Sequence, residues 1–408
     1  MDEIGQRYLL LALRLGRHLP DFVHAYVGPP ALREVVQGEA LTPPVELHDE
    51  ALRLLELAEA EAFGGASTRR ATFLRGQLTA IGTMARLLGG EQIAFTDRVE
   101  LLLGCMFEPA PDSAFGAATS ALSDLLPGDG TLLERVAQHD ASLTPPRNRV
   151  LGEMTEFTRT LRRRSDHEWG LPPGEGVEWN KVKGRAYVTF SRYVSRTQME
   201  FDLAIPLTLS DMLHFAAHEI YPGHHLERAT KESRLASNGE RGESMVLLTC
   251  TPQLLVLEGM AEHALRLVMT ELEIVSELQA AAARSGLRGD LAVDRAAVGP
   301  ADVLGWAVVA AALAHNEGSW TPRVTRDYLR EVGLVSESVA DRWTSLFDDP
   351  IRAVQPLTYP IGASLCGRWL EVVGQSEGVR RYLDEELVPS QLLQEIGEPR
   401  ALFPGSLA

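Results

Sequence analysis

Apolar residues recur at three- and four-residue spacing through much of the first 164 positions, and no strong strand signal interrupts them before residue 180. Tyr8, Leu11, Leu15 and Leu19 put one apolar face on a helix over residues 5–19, which ends near Pro20. Residues 45–62 and 66–89 predict a helical pair around Gly64-Gly65, and further helices are expected over 96–107, 113–126, 130–139 and 147–164. A chain patterned in this way is expected to fold as a mainly α protein with one small β-sheet.

The pattern changes after Asp166. Residues 170–176 (GLPPGEG) read as a loop. It suggests a boundary between a helical N-terminal part, 1–166, and a second part, 167–408, unless the two form one continuous unit. Residues 185–203 are rich in Tyr, Val, Thr and Phe with partial alternation, which predicts a strand or hairpin. Ser210 or Asp211 is placed to cap a helix leading into His218. Helical patterns return over 252–284, 300–315, 322–332, 336–347 and 362–373.

Composition excludes several classes of function. The formal net charge of −17 opposes the Lys and Arg needed to displace counterions from phosphates, so nucleic acid is not an expected partner. Arg162-Arg163-Arg164 is short and acid-flanked, and reads as a solvated helix face. Cys105, Cys250 and Cys366 are far apart and form no C-x-x-C pair, which suits a reducing compartment. The opening Met-Asp-Glu-Ile has the wrong charge order for a secretory signal. The apolar run from Val303 to Ala314 falls short of the roughly 20 residues that span a bilayer. A cytoplasmic protein with no membrane partner is expected.

The chemistry concentrates in one place. Four of the 11 histidines fall within HFAAHEIYPGHHLE, residues 214–227. His218 followed by Glu219 supplies a zinc ligand and a catalytic base in the order used by H-E-x-x-H enzymes. The second histidine of that motif would stand at position 222, which is Pro222. Pro222 cannot donate to the His218 carbonyl, so a regular helix is interrupted here. On an undistorted helix His224 would lie about 9 Å further along. Pro222-Gly223 must therefore turn the chain so that His224 returns, with His225 the less favoured second ligand.

Glu258, in LVLEGMAEHALRL, is the expected third ligand; its alternative is an ordinary acid at a helix start. Glu262 lies one turn later on the same face, placed to accept the other imidazole N–H of a ligand histidine. His214, one helical turn before His218, either completes a second metal site or is simply a histidine on the groove-facing side of the helix. His263 either touches substrate or pairs with Glu262 on the helix surface. Hydrolysis also needs a donor for the developing oxyanion, and Tyr359, Arg192 and Tyr193 are the candidates, although Tyr359, in a Pro-rich turn, reads equally as a packing anchor.

HEIYPGHHLE, EGMAEHA, GRAYVTFSRY and FVHAYVGPP together resemble a large bacterial family of unknown function, the domain of unknown function 885 family. Its pattern is H-E-x-x-P-G-H-H followed by E-G-W-A-x-Y, and Met260 and His263 depart from it. That family is similar in fold to the helical thermostable carboxypeptidases. The resemblance implies a helical zincin-like metallopeptidase fold with a deep groove, with His218, His224 and Glu258 as metal ligands and Glu219 as base. The expected reaction is zinc-dependent hydrolysis of an amide bond in a peptide or peptide-like small molecule. Two other readings stand beside it: a non-hydrolytic iron redox protein, although no E-x-x-H pair accompanies Glu258 or Glu262, and a metal-free binding scaffold.

Overall fold

The computed structural model describes residues 1–63, 68–183, 189–192, 196–203, 205–236, 241–401 and 403, giving only the backbone course of 189–192, 201, 235 and 236. The fold is mainly α. Its first part contains α1 (Glu3–Gly16), β1 (Val23–Tyr26), α2 (Pro30–Gly38), α3 (Pro44–Phe63), α4 (Thr68–Leu88), α5 (Phe95–Leu103), α6 (Asp112–Leu125), α7 (Leu132–Leu143) and α8 (Arg147–Trp169). The expected helices before residue 170 are present, although Gly64-Gly65 lies outside the described residues. The α5 helix stops short of residue 107 because Gly104 adopts a left-handed φ of 74°, which ends the helix at little steric cost.

A small sheet follows, built from β2 (Gly176–Val182), β3 (Thr189–Arg192) and β4 (Arg196–Asp202). Its order is β2-β4-β3, with β3 antiparallel and β2 parallel to β4. The pairing of β3 and β4 answers to the expected hairpin, while residues 185–188 and 193–195 within it lie outside the described residues. The strand β2 begins inside the expected loop; one face of it is mostly polar, which hid its period.

The site region follows as α9 (Leu209–Glu219), α10 (His224–Lys231), β5 (Val246–Leu248) and α11 (Pro252–Val268). Thr208, rather than Ser210 or Asp211, caps α9: its hydroxyl accepts from the Asp211 amide at 3.0 Å while Asp211 accepts from the Thr208 amide at 2.9 Å. The expected continuous pattern over 252–284 divides into α11 and α12 (Glu271–Ser285), because Met269 is extended and Thr270 starts a new capping box with Glu273. The remainder is α13 (Leu291–Leu304), α14 (Ala307–Asn316), α15 (Pro322–Glu331), α16 (Glu337–Phe347), α17 (Thr358–Val373), α18 (Gln375–Asp384) and α19 (Pro389–Ile396).

Both parts of the chain contribute to one buried apolar cluster, in which Tyr8, Phe73 and Phe157 join Leu213, Leu255 and Trp369. The strand β1 pairs antiparallel with β5, tying the first part directly to the second. Among the described residues, the stretch Leu291–Asn316 is long and apolar enough to cross a membrane by length and composition. Residues 305 and 306 interrupt its helix, and Arg295 on α13 binds Glu271 at 2.8 Å.

Candidate metal centre

Local backbone chemistry brings the two histidines together. The α9 helix ends at Glu219, and the chain then turns through Ile220, Tyr221, Pro222 and Gly223, with a cis Tyr221–Pro222 peptide. The Gly223 amide donates to the Ala217 carbonyl at 3.0 Å, and the Leu226 amide donates to Ile220 at 3.2 Å. These bonds fold the turn back against the end of α9 before α10 starts at His224. Only glycine fits at position 223, because a Cβ there would stand 1.7 Å from the His218 carbonyl oxygen. The His218 and His224 rings meet edge to face with centroids 4.9 Å apart.

Glu258 arrives from α11. It lies well inside that helix rather than at its start, so the helix-start explanation for this acid does not hold. Its Oε2 is 3.2 Å from Nε2 of His218 and 3.4 Å from Nε2 of His224. One turn on, Glu262 Oε1 stands 3.3 Å from Nδ1 of His218, and its Oε2 stands 3.5 Å from Nε2 of His214. His214 thus shares the carboxylate that holds His218. Glu219 Oε1 is 3.9 Å from Nε2 of His218, whereas its Oε2 is buried and accepts no hydrogen bond among the described residues.

The charges are strongly coupled. Burial by itself would raise the Glu258 carboxyl, but the His224 and His218 imidazoles outweigh it and hold the pKa down at about 2. Burial likewise opposes ionisation of Glu262, and the contacts from His214 and His218 overcome it. His218 moves the other way. Burial disfavours its cation, yet Glu258, Glu262 and Glu219 together raise its pKa well above the ordinary value. The Glu219 carboxyl is pushed up mainly by burial; Glu258 and Glu262 add to the shift while His218 and His224 oppose it. Three carboxylates around two imidazoles make a centre that calls for positive charge.

Among the described residues, two groups of side chains could hold a metal ion: His214, His218 and Glu262, and His218, Glu219 and His224. Ligands about 2.0–2.1 Å from a tetrahedral zinc stand roughly 3.3 Å from one another. The 3.2 and 3.4 Å separations at Glu258 Oε2 match that edge length. His218, Glu219 and His224 also offer ligand atoms that lie within 4.8 Å of one another.

Tyr359 enters from the first turn of α17, its ring centroid 6.4 Å from that of His218, and it keeps 37% of its surface exposed. Glu258 first, then burial and the other two carboxylates, raise its pKa well above the ordinary value, so the phenol stays protonated. The placement depends on a close crossing of α11 and α17, where a Cβ on Gly259 would come within 2.2 Å of the Gly362 carbonyl oxygen.

Other expected residues lie elsewhere. His225 sends Nε2 to Glu175 at 2.9 Å and Nδ1 to Thr197 at 2.7 Å, so both of its nitrogens are engaged away from Glu258. His263 bonds the Ala363 carbonyl at 2.7 Å and thereby joins α11 to α17, rather than pairing with Glu262. Arg192 ends β3, but its side chain is not described, and Tyr193 lies outside the described residues. Sequence reasoning missed Glu175 and Thr197. It also missed His24 of β1, whose pKa is lowered by desolvation, with Glu258 opposing and His224 reinforcing the shift. The segment FVHAYVGPP contains His24, but nothing local in it points to a site.

No protein-family model matches the chain, and no curated protein matches it. The chain is similar in fold to a solved structure described as "the putative lipoprotein from Colwellia psychrerythraea", with a TM-score of 0.51 and 13% sequence identity. The similarity covers 84% of this chain and 66% of that one, so the chain spans just under two thirds of the length of the structure it matches. At this identity the likeness concerns the fold alone.

Proposed function

We propose that this protein is a zinc-dependent hydrolase of the helical, zincin-like metallopeptidase type, cleaving an amide bond in a peptide or peptide-like substrate. The observation that carries the reading is the convergence of His218 Nε2 and His224 Nε2 on one Glu258 oxygen at 3.2 and 3.4 Å, beside a buried Glu219 oxygen that accepts no hydrogen bond among the described residues. The resemblance of HEIYPGHHLE and EGMAEHA to the family described above supports the same assignment.

His218, His224 and Glu258 would hold the metal. Zinc bound there supplies polarisation of the scissile carbonyl and a water of lowered pKa. Glu262 accepts from Nδ1 of His218, which fixes the ring and leaves Nε2 free as the ligand atom. Glu219 takes the proton of the attacking water and passes it to the leaving amine nitrogen; its burial favours a base that readily accepts and then releases that proton. Tyr359, kept protonated by the surrounding carboxylates, donates a hydrogen bond to the oxygen on which negative charge develops.

Elemental analysis of the purified protein, beside the double variant His218→Ala, Glu258→Ala, tests the reading. About one zinc per chain, absent from the variant, supports it and directs a search for peptide cleavage. A wild type that takes up no zinc on reconstitution leaves a metal-free scaffold. The buried free cysteines Cys105, Cys250 and Cys366 favour a reducing, cytoplasmic setting, whereas the solved neighbour is described as a lipoprotein; fractionation of the native cells separates these locations.

A further inference from the structure

The carboxylate of Glu175 is fully buried just before β2, in the segment expected to be a plain loop. It accepts hydrogen bonds from three places. The Tyr221 hydroxyl and His225 Nε2 donate to its Oε2, and the Arg162 guanidinium of α8 donates to its Oε1. Burial alone would push this carboxyl up, but the bonds from His225, Tyr221 and Arg162 hold it down at about 2, so it stays ionised. Thr197 of β4, itself buried, completes the set at Nδ1 of His225. The two contacts on His225 are satisfied together when Nε2 carries the proton and the Thr197 hydroxyl donates to Nδ1.

Tyr221 and His225 are the two flanks of the segment Tyr221-Pro222-Gly223-His224-His225. The residue before Pro222 and the residue after His224 are therefore bound to one carboxylate oxygen. A helix broken at Pro222 has no continuous backbone ladder to set the direction in which His224 emerges. The backbone bonds at Gly223 and Leu226 close the turn, and the Glu175 clamp sets how its flanks sit against the sheet.

We infer that Glu175, acting through His225 and Tyr221, is a positioning residue that clamps the Pro222-Gly223 turn and so aims His224 at the metal centre. The inference rests on the metal reading for its consequence, though the clamp itself does not. It makes His225 a staple between the β2–β4 sheet and the motif rather than a ligand. Partners of this kind that orient ligand residues, when removed, typically lower metal affinity by about 10- to 100-fold.

The test uses the full chain with zinc and cobalt as probes, comparing Glu175→Gln, His225→Leu and His225→Gln. Glutamine at 175 sets an amide N–H₂ among donors, and leucine at 225 offers no polar atom. Glutamine at 225 restores one donor for Glu175 and one acceptor for Thr197. The expected result is a loss of zinc affinity of about 10- to 100-fold in Glu175→Gln and His225→Leu, with an altered visible spectrum of the cobalt form, and recovery of both in His225→Gln. Amide exchange at Gly223 and Leu226 should also quicken in Glu175→Gln. Wild-type affinity, spectrum and exchange in the first two variants, with only a lowered melting temperature, would overturn the inference and leave a purely structural network. A wild type that binds neither metal sinks the metal reading separately. The exchange result then decides the clamp alone: faster exchange upholds it, and unchanged exchange removes it.

Discussion

Gly223 sits so close to His218 that a Cβ on it would lie 1.7 Å from the His218 carbonyl oxygen. The turn that returns His224 to the centre therefore exists only with a bare backbone at this point. Gly223→Ala should force the turn away from α9, at a cost of about 3 kcal/mol in stability, and separate the two imidazoles. Zinc titration and chemical denaturation check this together: a variant with wild-type zinc affinity would show that the close approach is not required.

Glu219 combines burial with an unpartnered oxygen and a raised pKa. An acid whose folded pKa lies above its unfolded value destabilises the fold at pH values above the folded pKa, and the cost fades as pH falls. In metal-free protein, Glu219→Gln should therefore raise the melting temperature at neutral pH, with the gain shrinking on acidification. On a cleaved peptide the same variant should lower kcat by about 10²- to 10⁴-fold while keeping zinc. A variant that is less stable at neutral pH removes the burial cost as the cause, and one that is equally active removes Glu219 from the role of base.

Tyr359 is a residue for which a donor role separates from packing, since 37% of its surface is exposed. Tyr359→Phe should leave zinc content and melting temperature near wild type, lower kcat by about 10²-fold, and change KM little. An increase in KM alone would instead assign the phenol to ground-state binding.

Asp140 provides a test of stability away from the site. Burial, reinforced by Asp211 and Asp294, raises its pKa from 3.8 to about 6. The sign is that of a raised acid: the ionised form is disfavoured in the fold, so the cost is full above about pH 6 and gone below about pH 4. Asp140→Asn should therefore stabilise the protein by about 1 kcal/mol at pH 7, after allowance for the solvent that still reaches this group. Denaturation midpoints at pH 7 and pH 4 give the comparison, and a gain that persists at pH 4 would exclude this cause.

The centre was partly legible because its signals are local. His218, Glu219 and the Pro222-Gly223 break lie within six residues, and a proline's missing N–H tells, without any structure, that the helix must stop. Glu258 and Glu262 were legible as one helix face. The role of Glu175 was not, since it contacts His225 across 50 residues and its loop carries no periodic signal. The bond that His263 makes was not legible for a similar reason: its partner is a backbone carbonyl 100 residues away, which no residue type can advertise.

By itself, the sequence determined that the chain is mainly helical, that a helix ending in His-Glu breaks at Pro222, and that two carboxylates share the face of a later helix. These follow from side-chain spacing and from backbone donors that are present or missing. Only the tertiary structure decided that Glu258, 40 residues from His218, places one oxygen between two imidazoles, and that Tyr359 reaches the same centre over the Gly259–Gly362 crossing. It also decided that His224 rather than His225 meets Glu258, because Glu175 and Thr197 already hold both nitrogens of His225. Periodicity reports how a segment folds upon itself. Which segments meet is set by close packing between distant elements, where a single missing Cβ determines how near two helices can come.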